Sequence, residues 1–523
     1  MTWRRLVERV QFAETGYAPR GDALALGGCL AAGLALVVPI LSLATPVPTL
    51  AWTALLAVAY GVVAAVIGRV TVGAYAALLV TMTFAANVPL ASNEYLRSMT
   101  RDLGPNVWLV HLPLLALLGL LVLRDSDRFR RVSGAEILLA AFVGWVVVAA
   151  LVTRPVRIDA ALYFALFVLW GGLIFAAVRR SHDVLPVAPR TTLSILACTL
   201  LFKSWFALAE AVRGGSFGLT RLGELSSDLA VTVATLSLGG ISLSVGTYVS
   251  GFSGMSFLLA SLVVLLVPFV LAQTLERSPT SRFLGAASAF VVLLALRLTG
   301  TDAGRGAAML AMGCFAAWVL LRSQSGDRSL DARRLSLLFV VLVCVGIVLV
   351  PSTQSGAAGD VSTAILDGSS GGGSTATTDT GEISVPLFDL SNLGIRLTQY
   401  AAGISLFLQH PLFGIGGANF PYYADSFGIP DQLPIHNVYL TLLAETGVVG
   451  FVLYVGFLVA VVRRGVRSLR SEATDVYVRG AALAGVVGYL GFMFWDHMLF
   501  NSVVSSFTFY AVCGALATEP SDA

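Results

Sequence analysis

Charge is what this chain has least of. Only 12% of its 523 residues are Asp, Glu, Lys or Arg, about half the share usual in soluble domains. Together with 57% hydrophobic residues and a mean hydropathy of +0.84, this excludes a water-soluble globular protein and indicates a chain dissolved in lipid. Lysine is nearly missing: of 33 basic residues only Lys203 is one, so any phosphate binding falls to arginine. Cysteine is sparse, and Cys29, Cys198, Cys314, Cys344 and Cys513 all lie in apolar runs without a Cys-x-x-Cys pair. Neither a disulfide framework nor a zinc site is indicated; small buried hydrophobes are. The net charge of +3 says little about partners, because charge in such a chain is divided by side of the membrane. It gives no reason to expect nucleic acid.

What the chain has is apolar runs of spanning length, about 20 residues each. They fall at about 23–45, 50–68, 72–91, 106–123, 134–152, 159–178, 191–212, 228–248, 254–272, 283–299, 305–322, 335–352, 437–462, 475–495 and 499–517. Met1 to Arg20 is basic but has no signal-peptide core, and the first run is long enough to span. The arginine-rich connectors, namely Arg4 to Arg20, Arg124 to Arg131, Arg179 to Arg190, Arg322 to Arg334 and Arg463 to Arg470, are expected on the cytoplasmic side. That alternation holds through the seventh run and then fails by one. Parity returns if 228–248 does not cross; Gly239, Gly240, Gly246 and Gly251 weaken it as a helix, and a broken or re-entrant element is expected.

The expected fold class is therefore all-α: a polytopic membrane protein with about fourteen transmembrane helices, a re-entrant element and a long external loop. Residues 1–352 form N-terminal spans, 353–435 the loop, and 436–523 the C-terminal spans. Within the loop, 353–384 is rich in Ser, Thr and Gly and cannot bury a core. Residues 387–435 carry periodic apolar positions (Leu393, Ile395, Leu397, Ala401, Ile404, Leu408), as in a helix lying on the membrane surface. No internal repeat is found.

The most informative stretch is His436-Asn437-Val438-Tyr439-Leu440, which opens the 437–462 run. A histidine where an external loop enters a membrane helix meets water, headgroups and a polar substrate at once. Arg396 and His410-Pro411-Leu412-Phe413-Gly414-Ile415-Gly416-Gly417 precede it, and Gly447 follows after ten residues. Gly304-Arg305-Gly306 opens another run, and Arg221-Leu222-Gly223 lies earlier. The glycines at 414–417 do not form a phosphate loop, since neither a preceding strand nor a lysine is present; a compact turn is the better reading, with His410 shaping it. Gly447 and Gly450 read as close helix packing. Asp125-Ser126-Asp127 sits among arginines as a solvated turn. Lys203 and Glu210 lie in the 191–212 run, where ionisable groups are functional suspects, and only Lys203 is clearly deep. Asp496-His497 occupies the last tight external turn.

This constellation resembles the O-antigen ligase/polymerase family of integral-membrane glycosyltransferases, most specifically over 396–456. Gly304 stands where the family has serine, and no Pro-Asn follows Arg221. The resemblance implies inverting transfer of a glycan from an undecaprenyl-diphosphate carrier to an acceptor hydroxyl, either another glycan or a lipid core. It implies a bacterial inner membrane location with the site facing the periplasm or exterior. Arg221, Arg305 and Arg396 would clamp the diphosphate in place of a metal ion, and His436 would be the general base. Glu210, Asp496 and His497 are possible accessories. No metal or nucleotide cofactor is implied; the partners are the lipid-linked donor, the acceptor and the bilayer. The rival reading is a lipid-linked-sugar flippase or transporter without bond chemistry, whose charged groups would gather near the midplane.

Overall fold

The computed structural model describes residues 70–85, 87–89, 106–124, 132–185, 187–213, 249–275, 279–322, 393–429, 434–469 and 476–518, with shorter stretches within 215–246, 337–354 and 383–384. The elements are α1 (Val70–Thr81), β1 (Asn87–Pro89), β2 (Asn106–Trp108), α2 (His111–Arg124), α3 (Gly134–Thr153), α4 (Ile158–Val184), α5 (Pro189–Arg213), β3 (Val233–Leu238), β4 (Ile241–Gly246), α6 (Ser256–Ala272), α7 (Pro279–Leu298), α8 (Asp302–Leu321), β5 (Thr353–Gln354), β6 (Ile383–Ser384), α9 (Leu393–Gln409), α10 (Val438–Ser468), α11 (Val476–Trp495), α12 (Met498–Asn501) and α13 (Val503–Leu516).

Eight described helices are long and apolar enough to cross a membrane, and three shorter apolar ones accompany them. Each coincides with an expected run. The runs at 23–45 and 50–68 lie outside the described residues, and 335–352 is described only in part. The protein is an all-α, multi-pass membrane fold. Its helix α6 is central: every residue from Leu258 to Ala272 is buried, so a helix apolar on all sides is surrounded by protein. Helix α11 lies against it, and Gly485 lets the two backbones meet at the Leu265 carbonyl, the close approach that small residues permit between membrane helices.

Arginine-rich helix ends gather at one end of the bundle. Glu136, in the capping box that starts α3, pairs with Arg179 and Arg180 at the end of α4. Arg322, after α8, donates to the Leu469 carbonyl after α10 at 2.6 Å. The loop elements occupy the opposite end. There the 228–248 run is not a broken helix. Strands β3 and β4 pair antiparallel, and β5 and β6 extend them into a sheet of order β4-β3-β5-β6. Its described residues, 233–238 and 241–246, are paired strands and not a helix, in keeping with the parity argument. The physical reason is its alternation Val-Ala-Thr-Leu-Ser-Leu-Gly-Gly-Ile-Ser-Leu-Ser-Val, a period of two on either side of two glycines.

Helix α9 forms where the loop's apolar periodicity put it. Gln399, Ala402 and Leu406 are buried while Leu397, Ala401, Ile404 and Leu408 face outward. An outward stripe of that kind suits contact with lipid rather than with water.

Candidate functional site

Helix α10 begins because Asn437 caps it: the Asn437 side-chain oxygen accepts from the Leu440 N–H at 3.0 Å, a standard N-cap bond. The cap leaves His436 just outside the first turn. Its ring Nδ1 lies 2.8 Å from Gln399 Oε1, on the buried face of α9. Its carbonyl accepts from the Tyr400 hydroxyl at 3.1 Å. The ring meets that of His497 edge-to-face, with centroids 4.7 Å apart. His497 Nδ1 is in turn 3.3 Å from Asp496 Oδ1. Arg396, on the first turn of α9, donates to the Trp495 carbonyl at 2.9 Å, which ties it to the same turn after α11.

Arg396, His436, Asp496 and His497 thus form one electrostatic group. Desolvation lowers the His436 pKa to about 4, aided by the Arg396 charge and opposed by a hydrogen bond to the Pro434 carbonyl. His497 is held well below the usual imidazole range by burial, then by His436 and Arg396. Both rings are neutral at ordinary pH. Burial raises Asp496 to about 6, against the pull of the His497 N–H and Arg396. Beside this group opens a cleft lined by Pro434, Val438, Thr441, Glu445, His497 and Asn501, with Phe164 and Phe500 as its apolar wall.

The other sequence-predicted residues are placed differently. Arg305 sits in the first turn of α8, ion-paired with Asp302 and close enough to Arg297 for their charges to interact. Gly488 of α11 packs on Ala307 and Ala311, and Gly480 on Trp318; the start of α8 therefore lies at the end of the bundle where α11 leads into Asp496. Arg305 shares that end. Arg221 lies outside the described residues. Glu210 does not reach His436: its carboxylate accepts from the Ser250 N–H at 2.8 Å and the Gly251 N–H at 3.1 Å. Lys203 grips the same turn through the Gly251 carbonyl and Ser253, with the Phe84 ring 4.5 Å from its ammonium. Their spacing of seven residues prevents a direct pair, and the 250–253 turn bridges them.

Glu445 is a residue the sequence reading passed over, and it corrects the expectation that only Lys203 is deep. It lies on α10 two turns below the cap, buried. Its carboxylate accepts from the Ala418 N–H at 2.7 Å and the Phe420 N–H at 3.0 Å. The glycine-rich segment therefore cradles an anion after all, but the anion belongs to the chain itself. Gly447 is likewise more than a packing glycine. It interrupts α10 with φ 68° and ψ −177°, a region essentially reserved for glycine, because the Leu412 carbonyl group presses where a Cβ would stand. Each group freed by the break finds a partner: Ile415 N–H donates to Ala444 at 3.0 Å, Gly416 N–H to Glu445 at 3.0 Å, and Val448 N–H to Pro411 at 2.9 Å. The Trp145 indole takes the Thr446 carbonyl at 2.8 Å. Irregular backbone at membrane depth survives only when satisfied in this way. Asn419 then anchors the loop to the α3–α4 turn, exchanging two bonds with the Arg157 backbone at 2.9 and 3.0 Å.

Among the described residues no group of His, Cys, Asp and Glu is arranged to hold a metal ion. No curated protein matches the chain. Residues 287–455 match the family model described as O-antigen ligase, a stretch that contains Arg305, Arg396, Gln399, His436, Glu445 and Gly447 and leaves out Arg221, Asp496 and His497. That family implies a glycosyltransferase-like enzyme acting on a lipid-linked glycan donor and an acceptor, in a multi-pass membrane protein. Residues 287–455 are thus similar to the O-antigen ligase family, which supports the resemblance to the O-antigen ligase/polymerase family read from the sequence.

Proposed function

We propose that this protein transfers a glycan from an undecaprenyl-diphosphate carrier to an acceptor hydroxyl, with inversion and without a metal, on the outer side of a bacterial inner membrane. The observation that carries the reading is the meeting of Arg396, His436, Asp496 and His497 beside one cleft, at the end of the bundle away from the arginine-rich connectors.

His436 takes the acceptor hydroxyl proton as the oxygen attacks the anomeric carbon. The bond from that carbon to the phosphate oxygen breaks on the opposite face, and its electron pair leaves with the lipid diphosphate. The leaving group needs no proton but gains charge, which Arg396 offsets; Arg305 and Arg221 complete the clamp. The environment that keeps the imidazole neutral also weakens it as a base; a bound diphosphate relieves the part due to the Arg396 charge and leaves the larger part, desolvation, in place. The rival flippase reading expects mobile charges at the midplane. The deep groups Lys203 and Glu445 are instead each committed to a turn of the chain's own backbone, which favours bond chemistry at the surface.

The test supplies purified protein in lipid with carrier-linked repeats. Chain growth without added acceptor identifies a polymerase, and product only after lipid core is added identifies a ligase. His436→Gln abolishes product in either case. Lipid movement without transfer from any donor would establish the flippase instead.

A further inference from the structure

Gln399 is fully buried on α9, three residues after Arg396, and no motif singles it out. Its Oε1 lies 2.8 Å from His436 Nδ1 and 3.3 Å from the His436 backbone nitrogen. The second contact decides the first. A backbone N–H can only donate, so the amide atom facing it is the oxygen, and the side chain cannot be turned end for end. An oxygen facing Nδ1 at that distance can only accept, so Nδ1 carries the proton.

We infer that Gln399 is a positioning residue: by accepting from both the Nδ1–H and the backbone N–H of His436, it fixes the imidazole in the tautomer whose Nε2 lone pair faces the acceptor hydroxyl. The inference rests on the proposed base role of His436. A histidine with a free choice of tautomer would divide its population, and the fraction with a proton on Nε2 could not accept another. The Nδ1 bond also holds the ring against rotation about its side-chain torsions. Orientation by a fixed acceptor behind the working histidine is the general arrangement in base-assisted catalysis.

The opposite end of the same side chain supports this role. Gln399 Nε2 is buried without a hydrogen-bond partner, a deficit that destabilises the fold. A leucine of similar size would avoid it. The amide's one satisfied atom is the oxygen on His436, so the position serves the histidine at the expense of the core.

Nitrogen-15 spectra of histidine-labelled protein in lipid nanodiscs test this directly, with His436→Gln assigning the relevant pair of resonances. The expected result is an unprotonated Nε2 and a protonated Nδ1 on His436 at pH 7, becoming a mixture in Gln399→Leu. In turnover, Gln399→Leu lowers kcat on the order of 10–100-fold, the loss typical when a supporting bond to a working histidine is removed, with the KM for donor unchanged. Gln399→Glu keeps the acceptor oxygen, restores most of kcat, and moves the acid limb of the pH profile upward, since a carboxylate favours the imidazolium. A proton on Nε2 in the wild-type spectrum would overturn the inference, as would a wild-type kcat in Gln399→Leu alongside an inactive His436→Gln. An active His436→Gln would defeat the base assignment instead, and the spectrum would still report the tautomer. Where Gln399→Leu does not fold, the wild-type spectrum and the Gln399→Glu profile decide.

Discussion

Replacing Gly447 with alanine is the sharpest probe of how the site is held. The residue has φ 68° and ψ −177°, and an added Cβ would overlap the Leu412 carbonyl group and stand 2.7 Å from the Phe413 nitrogen. Both are backbone, so no side-chain rotation relieves the clash. Forcing an L-residue into that region costs about 1–3 kcal/mol. Displacing the 411–413 segment removes the Val448–Pro411 hydrogen bond, worth about 0.5–1.5 kcal/mol net. The expected destabilisation is about 2–4 kcal/mol, and the moving loop carries the N–H groups that hold Glu445 with it. Gly456→Ala in the same helix is the control. Its Cβ would touch only Leu138 methyl groups at 3.7 Å, an ordinary contact, and helix propensity favours alanine by up to about 1 kcal/mol. The assay is the thermal and denaturant midpoint of purified protein in one detergent, with transfer rate read alongside. Gly447→Ala should lower both midpoints and abolish transfer, while Gly456→Ala leaves them equal or higher. Equal midpoints for the two variants would refute the claim that α10 is broken to seat the loop.

Arg396→Gln should reduce transfer by about a hundredfold to a thousandfold, and it should also move the acid limb of kcat/KM upward, because the Arg396 charge helps depress His436; an unmoved limb would separate the two residues. In the wild type that limb is expected near pH 4 and not near 6.5, since the free-enzyme profile reports the base and its pKa is lowered to about 4. Asp496→Asn should raise the melting midpoint more at pH 7.5 than at pH 4.5. The native carboxyl titrates near 6 against 3.8 unfolded, so its folded state holds a proton the unfolded chain has lost, and stability falls as pH rises through that window; asparagine removes the penalty. Glu445→Leu should destabilise more than Glu445→Gln, because leucine orphans the Ala418 and Phe420 N–H groups at about 1–3 kcal/mol each, measured by the same midpoints.

Much of the site was legible because its residues cluster in sequence. Arg396, the His410–Gly417 turn and His436 with its Asn437 cap all lie within forty-two residues of one another, so their joint appearance could be read from the chain. The residues passed over were each visible as an anomaly in a period. Gln399 is a polar group in the series Ile395, Gln399, Ala402, Leu406, otherwise the inward face of α9. Glu445 is a carboxylate within an apolar run, where ionisable groups call for an explanation. Hydropathy averaging hid both, as it hid the alternation that makes 233–238 and 241–246 paired strands.

Local chemistry written in the chain determined which segments enter lipid, which ends carry arginine and where the helix behind His436 starts, because burial of apolar surface and backbone self-pairing act over a few consecutive residues. Only the tertiary structure decided that His497, some sixty residues on, meets the His436 ring edge-to-face with Asp496 beside it, and that Glu210 goes to the 250–251 turn and not to the cleft. It also decided that the glycine-rich turn closes around Glu445. Those pairings depend on which helices become neighbours and at what depth. Van der Waals packing between distant segments sets both, and no short window of sequence contains it.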